Sequence, residues 1–252
     1  MTARIQLDSP DAIDGRHIRA VTFQRIRLEY VRRTLERSGL APAGAQALVV
    51  GSIRGDLARG LADLGMVVTA LDPSPAATEL ARQRNGGASV EYGTAAAESL
   101  DELPAAAFDL AYYADTFEIT ADLDAVLAHA ARVLRPGGVL VYDTVARTPV
   151  SRLIYLGAFQ AFPATRIMPP SRYRAERLRP PAEVAAALSR AGLRSEDVTG
   201  FKPRSIGSLV GAVLARRGGR IGDDDLPSAV EFVLDPGHRP VVTYLGSARK
   251  PE

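Results

Sequence analysis

Two acids three positions apart, Asp115 and Glu118, follow the apolar run Phe108-Asp109-Leu110-Ala111-Tyr112-Tyr113. On a helical turn they share a face, where they can accept a proton or hold a divalent cation through oxygen ligands. The same pair also reads as an Asp115 cap beside a solvated Glu118. A second grouping lies upstream. Leu48-Val49-Val50 breaks into Gly51-Ser52-Ile53-Arg54-Gly55, and Asp72 closes another apolar run, Met66 to Leu71, some 20 residues past that turn. Glycines there let backbone approach a ligand, and a carboxylate at that distance can accept hydrogen bonds from a ribose diol. A full Gly-x-Gly-x-x-Gly is absent, so a plain strand-helix-strand crossover without a ligand is the competing reading. His17 is the one histidine expected near the lid and is a further base candidate.

These residues need elements to position them. Leu57, Leu61 and Leu64 repeat at helical spacing after the glycine turn, and Gly65 ends that helix. Upstream, Ile18, Val21, Leu28, Val31 and Leu35 predict a helix over 17–38 that carries Arg25 and Arg27, with Gly39 as its stop. Residues 1–16, polar and holding Pro10 and Gly15, read as a loose lead-in. Pro75 starts a helix through Arg84, ended by Asn85-Gly86-Gly87; Ala88 to Tyr92 is a short strand. Phe108 to Tyr113 is a fourth strand, 121–134 an amphipathic helix, and Val139 to Asp143 a fifth strand. Strand and helix alternate without hairpin signals, so the prediction is an α/β fold: a Rossmann-like, doubly wound, mostly parallel sheet. Its ligand edge lies at the carboxyl ends of the strands.

Residues 150–175 break the alternation. Leu153, Ile154, Leu156, Phe159 and Phe162 stand among arginines and prolines, which predicts a helical lid inserted over the ligand edge. Such a segment either roofs the site or makes peripheral contact with a membrane surface. Pro180-Pro181 opens a helix through Ala191, Leu193 to Val198 is a strand, 201–235 read as irregular, and Val241 to Leu245 is a last strand. The organisation is thus an N-terminal cap helix region over 1–40 and one domain over 41–252 carrying the lid.

Composition narrows the function classes. The 252 residues carry 31 basic and 29 acidic side chains, a net charge of +2 that gives no electrostatic case for nucleic acid. Cysteine is absent and there are three histidines, which removes disulfides, thiolate chemistry and a His-rich metal site. Met1 to Asp8 has no apolar core of signal-peptide length and no run reaches membrane-spanning length, so the expectation is a cytoplasmic protein acting on a small molecule.

The order Leu48 to Gly55, Leu71-Asp72-Pro73-Ser74, Phe108-Asp109-Leu110 and Val133-Leu134-Arg135-Pro136-Gly137-Gly138-Val139-Leu140 resembles class I S-adenosylmethionine-dependent methyltransferases. Arg25 to Val31, Ala146 to Pro149, Leu178 to Val184 and Tyr244 to Lys250 are similar to segments of the ubiquinone-biosynthesis O-methyltransferases within them. The resemblance implies S-adenosyl-L-methionine as cofactor. It places Gly51 under the methionyl part, Asp72 on the ribose hydroxyls, and Arg27 and Ala114 facing the cofactor. It implies Asp115 and Glu118 as the catalytic carboxylates, with Ile119 where the family has a histidine. No metal ligand is assigned. The function implied is O-methylation of a small, apolar, hydroxylated acceptor; a methyltransferase fold turned to cyclisation or dehydration is the alternative.

Overall fold

A computed structural model describes residues 4–84 and 89–252. The Asn85-Gly86-Gly87 stop and Ala88 lie outside the described residues. Eight strands form one sheet in the order β3-β2-β1-β4-β5-β8-β6-β7. The strands are β1 (Gln46–Val50), β2 (Val67–Asp72), β3 (Val90–Thr94), β4 (Phe108–Tyr113), β5 (Leu134–Val145), β6 (Arg194–Pro203), β7 (Phe232–Asp235) and β8 (Thr243–Arg249). The pairs among β1 to β5 are parallel. The pairs β5–β8, β8–β6 and β6–β7 are antiparallel. The chain winds outward from β1 to β2 and β3, then returns to the other side of β1 as β4. The carboxyl ends of β1 and β4 therefore flank the switch point, where open α/β sheets bind ligands.

The sheet separates two apolar layers. Side chains alternate across it as the two-residue period requires. Ala47, Val49, Leu110, Tyr112, Val139 and Val141 join one layer, and Leu48, Val50, Ala111, Tyr113, Leu140 and Tyr142 the other. On the first face lie α1 (Gly15–Ser38) and α2 (Asp56–Ala62); on the second lie α4 (Leu123–Val133) and α6 (Pro181–Arg190). Asp14 caps α1 by accepting from the Arg16 and His17 amides, and Gly39 ends it at φ 69°. This places Ile26, Arg27, Tyr30 and Val31 on the sheet side.

Two stretches differ from the sequence expectation. The lead-in is not loose. Ile5 bridges Ile13, Ile13 is fully buried, and Asp8 and Asp14 each hold an arginine. Paired charges tie down a segment whose polarity suggested freedom. The stretch 201–235 is not irregular either: β6 runs on to Pro203, α7 (Ile206–Arg217) and α8 (Leu226–Ala229) follow, then β7. Ile206, Val210 and Leu214 of α7 are exposed, so its apolar residues are not confined to one buried stripe, and Gly207 and Gly211 lower its helix propensity. The insertion after β5 is helical: α5 (Pro149–Arg152) runs into a wider π-type turn, Leu153–Ala158.

Gly246 on β8 faces Tyr142 on β5 in register, and a Cβ there would stand 2.2 Å from the Tyr142 ring. Tyr142 cannot retreat, because Phe117 packs on it at 5.0 Å between centroids. Gly246→Ala is expected to cost about 1–3 kcal/mol. Denaturant unfolding with an unchanged m-value is the measurement; an unshifted midpoint would show that the sheet yields there.

Candidate active site

The turn after β1 is held by backbone. Gly51 adopts φ 79°, its amide donates to the Leu71 carbonyl at 2.9 Å, and a Cβ on it would lie 2.3 Å from the Ala114 carbonyl. Only glycine fits between β1 and the segment after β4. Ile53, two residues on, is also left-handed at φ 53°, an uncommon backbone for a branched side chain. What holds it is Asp72: the Ile53 amide donates to the Asp72 carboxylate at 2.9 Å. The Ser74 amide donates to its other oxygen, also at 2.9 Å.

Asp72 has a third partner. The Arg16 guanidinium lies 2.6 Å away and also pairs with Asp8 at 2.8 Å. Arg54 is buried next to this pair, donating to Asp14 and to the Ser9 carbonyl. The slot between Gly51, Ile53, Ala97 and Ala114 has a volume of about 100 Å³, below the range of roughly 300–1,000 Å³ usual for ligand pockets. Small side chains and backbone form its walls, with Arg16 lying over Asp72 and Glu98 also lining it.

A buried ionic cluster lies where β4 and β5 end. Asp115, at φ 49°, sits 2.5 Å from Arg19 and 2.8 Å from Arg27. Arg19 also pairs with Glu118 at 3.0 Å and donates to the Tyr173 hydroxyl at 2.7 Å. Arg27 also pairs with Asp143 at 2.8 Å, and Thr144 donates to Glu118. Burial pushes all three carboxyls up. Arg19 and Arg27 outweigh it at Asp115, which ends below the usual carboxylate range. Burial prevails at Glu118, which is raised, with Asp115 adding to the shift. It prevails at Asp143 too, pushed up to about 7. Asp115 is thus a firm anion, while Glu118 and Asp143 hold protons more readily.

On the lid side of Arg19 an apolar chamber of about 450 Å³ opens between Ile18, Phe23, Tyr155, Phe159, Phe201 and Phe232. Arg19 forms part of its wall, and its partner Asp115 lines the smaller slot. The Arg19–Asp115 pair therefore joins the two spaces.

The residues singled out from sequence divide accordingly. Gly51, Ala114 and Asp115 line one slot, while Asp72 is buried beneath Arg16, which lines it. Arg27 is buried among Asp115 and Asp143 and does not line the slot. Glu118 stands behind Arg19. His17 is drawn away to Asp224, 2.6 Å from its Nε2. Among the described residues no group of three or more His, Asp or Glu is placed to hold a metal ion; a guanidinium lies between Asp115 and Glu118 instead. Sequence reasoning missed Arg16 and Arg19. Arg19 had a signal: Arg19, Phe23 and Arg27 repeat every four residues, so two cations share the helix face that carries a core aromatic.

A family model described as a methyltransferase domain matches residues 48–142, which span β1 to β5. A ubiquinone biosynthesis O-methyltransferase from Xanthomonas axonopodis pv. citri (strain 306) is 36% identical over 178 residues, 70% of this chain and 72% of that protein. One from Xylella fastidiosa (strain 9a5c) is 33% identical over 179 residues, 70% of each chain. Among solved structures, a sarcosine dimethylglycine methyltransferase assignment from Galdieria sulphuraria superposes with a TM-score of 0.60 at 15% identity, over 89% of this chain and 85% of that one, a likeness of fold. At such identity over such coverage, the chain belongs to the class I S-adenosylmethionine-dependent methyltransferases, among the relatives of the ubiquinone-biosynthesis O-methyltransferases.

Proposed function

We propose that this methyltransferase transfers a methyl group to the hydroxyl oxygen of a small, apolar acceptor. The observation that carries the reading is the chamber: aromatic and aliphatic walls ending on one buried guanidinium, Arg19, with Asp115 and Glu118 behind it. S-adenosylmethionine, when bound, supplies a methyl group on a sulfonium. Gly51, Ala114 and Asp72 are the residues suited to hold it, with Glu98 at the adenine side.

The chain's own part is orientation and proton handling. Apolar walls exclude water and align the acceptor, which converts a bimolecular encounter into a positioned displacement. Arg19 meets the acceptor oxygen and favours its ionised form, since a nearby cation lowers the cost of the anion. Asp115 fixes Arg19 and remains charged. Glu118, whose proton affinity is raised, is the group suited to accept the hydroxyl proton directly, while Arg19 stays protonated throughout. The lid has two sides: Tyr155 and Phe159 line the chamber, while Leu153 and Phe162 are exposed, as are Ile206 and Val210 of α7. That outer apolar surface suits peripheral contact with a bilayer, from which an apolar acceptor would enter.

Three outcomes test this. First, Asp72→Ala weakens S-adenosylhomocysteine binding by about 1.5–3 kcal/mol, whereas Arg16→Ala strengthens it, since Arg16 competes for the same oxygen. Calorimetric titration decides; equal affinities for both variants and wild type would remove Asp72 from the site. Second, Glu118→Gln lowers turnover on hydroxylated aromatic acceptors about 100-fold with cofactor affinity unchanged, and the acid limb of the wild-type rate profile lies above the ordinary glutamate range. Unchanged turnover would leave Glu118 a structural partner of Arg19. Third, the wild type sediments with anionic vesicles at low salt and a Phe162→Ser/Ile206→Ser variant does so less; a wild type that stays in the supernatant rules out the membrane contact.

A further inference from the structure

Arg172, in the stretch between the lid helix and α6, lines the slot beside the β1 turn with Gly51, Ala114 and Asp115. Its cationic neighbours are all engaged: Arg16 with Asp72 and Asp8, Arg19 with Asp115 and Glu118. Arg172 is not. Among the described residues its guanidinium makes no ion pair, and its Nε is buried without a hydrogen-bond partner. The two acids that share the slot are turned to other donors, Asp115 to Arg19 and Arg27, and Glu98 to the Thr120 hydroxyl. Burial, together with Arg16 and Arg19, weakens this arginine's hold on its proton, with Tyr173 and Glu118 opposing. A cation in partial burial without a counter-charge costs free energy that an arriving anion recovers.

We infer that Arg172 is the carboxylate receptor of the active-site cleft, gripping an acid group on a ligand lodged between the Gly51 turn and Asp115. A carboxylate is the class that fits. It matches the planar guanidinium fork with two parallel hydrogen bonds. Its single charge matches that of the unpaired Arg172, whereas a phosphate dianion would leave excess negative charge next to Asp115 and Glu98. Two sources bring that chemistry to the slot. One is the amino-acid end of the cofactor, which rests on the methyltransferase reading; the other is an acidic group on the acceptor, which does not.

Paired probes separate the sources on the full-length protein. S-adenosylhomocysteine carries a carboxylate that methylthioadenosine lacks, and 3,4-dihydroxybenzoate carries one that catechol lacks. The wild type is expected to prefer the carboxylate-bearing member of one pair at least tenfold, and Arg172→Gln to abolish that preference while binding the other member as before. Since Arg172→Gln breaks no ion pair and removes an uncompensated charge, its thermal midpoint stays at or above the wild-type value. Loss within the nucleoside pair assigns the receptor to the cofactor, and loss within the aromatic pair assigns it to the acceptor. Absence of a preference in both pairs, or a preference that survives in Arg172→Gln, overturns the assignment. A wild type that binds neither nucleoside but discriminates the benzoate would overturn the cofactor reading and leave the receptor standing.

Discussion

The ion pairs that join α1 to the ends of β4 and β5 set the terms for the rest of the molecule. Arg19 and Arg27 project from one helix face onto Asp115, and reach Glu118 and Asp143 on either side. All five groups are buried or nearly so. Two cations facing three acids leave one negative charge in excess, and a buried excess charge is relieved by binding a proton. Burial is the main cause of the raised proton affinity at Glu118 and Asp143, and the excess charge adds to it through Asp115, which, touched by both guanidinia, stays ionised. The helix cannot shift along the sheet without breaking these contacts, and removing one partner of a buried pair costs roughly 3–5 kcal/mol. A cap helix that in a plain crossover fold would only cover the sheet thus becomes a wall of the active site.

The same use of arginine continues toward the amino terminus. Asp8, Asp14, Arg16 and Arg54 interlock over Asp72, and Asp223 and Asp224 secure the arrangement from the α7–α8 side through Arg216, the Asp14 amide and His17. Arg16 gives Asp72 the charged partner that a buried carboxylate requires when no other donor occupies that side of it. In the proposed function a ribose diol competes with Arg16 for that oxygen, so cofactor affinity would be a difference between two interactions with Asp72. A segment of short range in sequence therefore governs access to a residue 56 positions away.

Much of the fold was legible because its signals are local. Leu48 to Gly55 and Met66 to Asp72 announce strand, turn, helix and strand by composition, and the Pro136-Gly137-Gly138 turn marks the entry into the fifth strand. What was not legible depends on partners remote in sequence. Asp14 and Arg16 look like a polar lead-in until Arg54 and Asp72 are brought against them. The α7 helix escaped because its apolar residues, Ile206 among them, lie on an exposed face and interrupt the buried stripe that identifies a helix. Within the site, sequence pointed to Gly51, Asp72 and the two acids but not to Arg19, because an arginine on a helix reads as solvated surface unless something else shows that the face is buried.

Asp115 and Glu118 are the clearest case of residues whose chemistry is set by what stands between them. As a pair at three-residue spacing, with an isoleucine next to them in place of a histidine, they read as a proton acceptor or a cation site. With Arg19 between them, the positive charge that would stabilise an acceptor oxyanion is already supplied by the chain, permanently protonated and fixed by Tyr173 and the two acids. A guanidinium also resists the exchange that a bound ion undergoes. The cost is a rigid corner of the active site, with strained backbone at Asp115. Variation of acceptor must then come from the chamber walls, where Phe159, Phe201 and Phe232 belong to three different elements that can change without disturbing the charges.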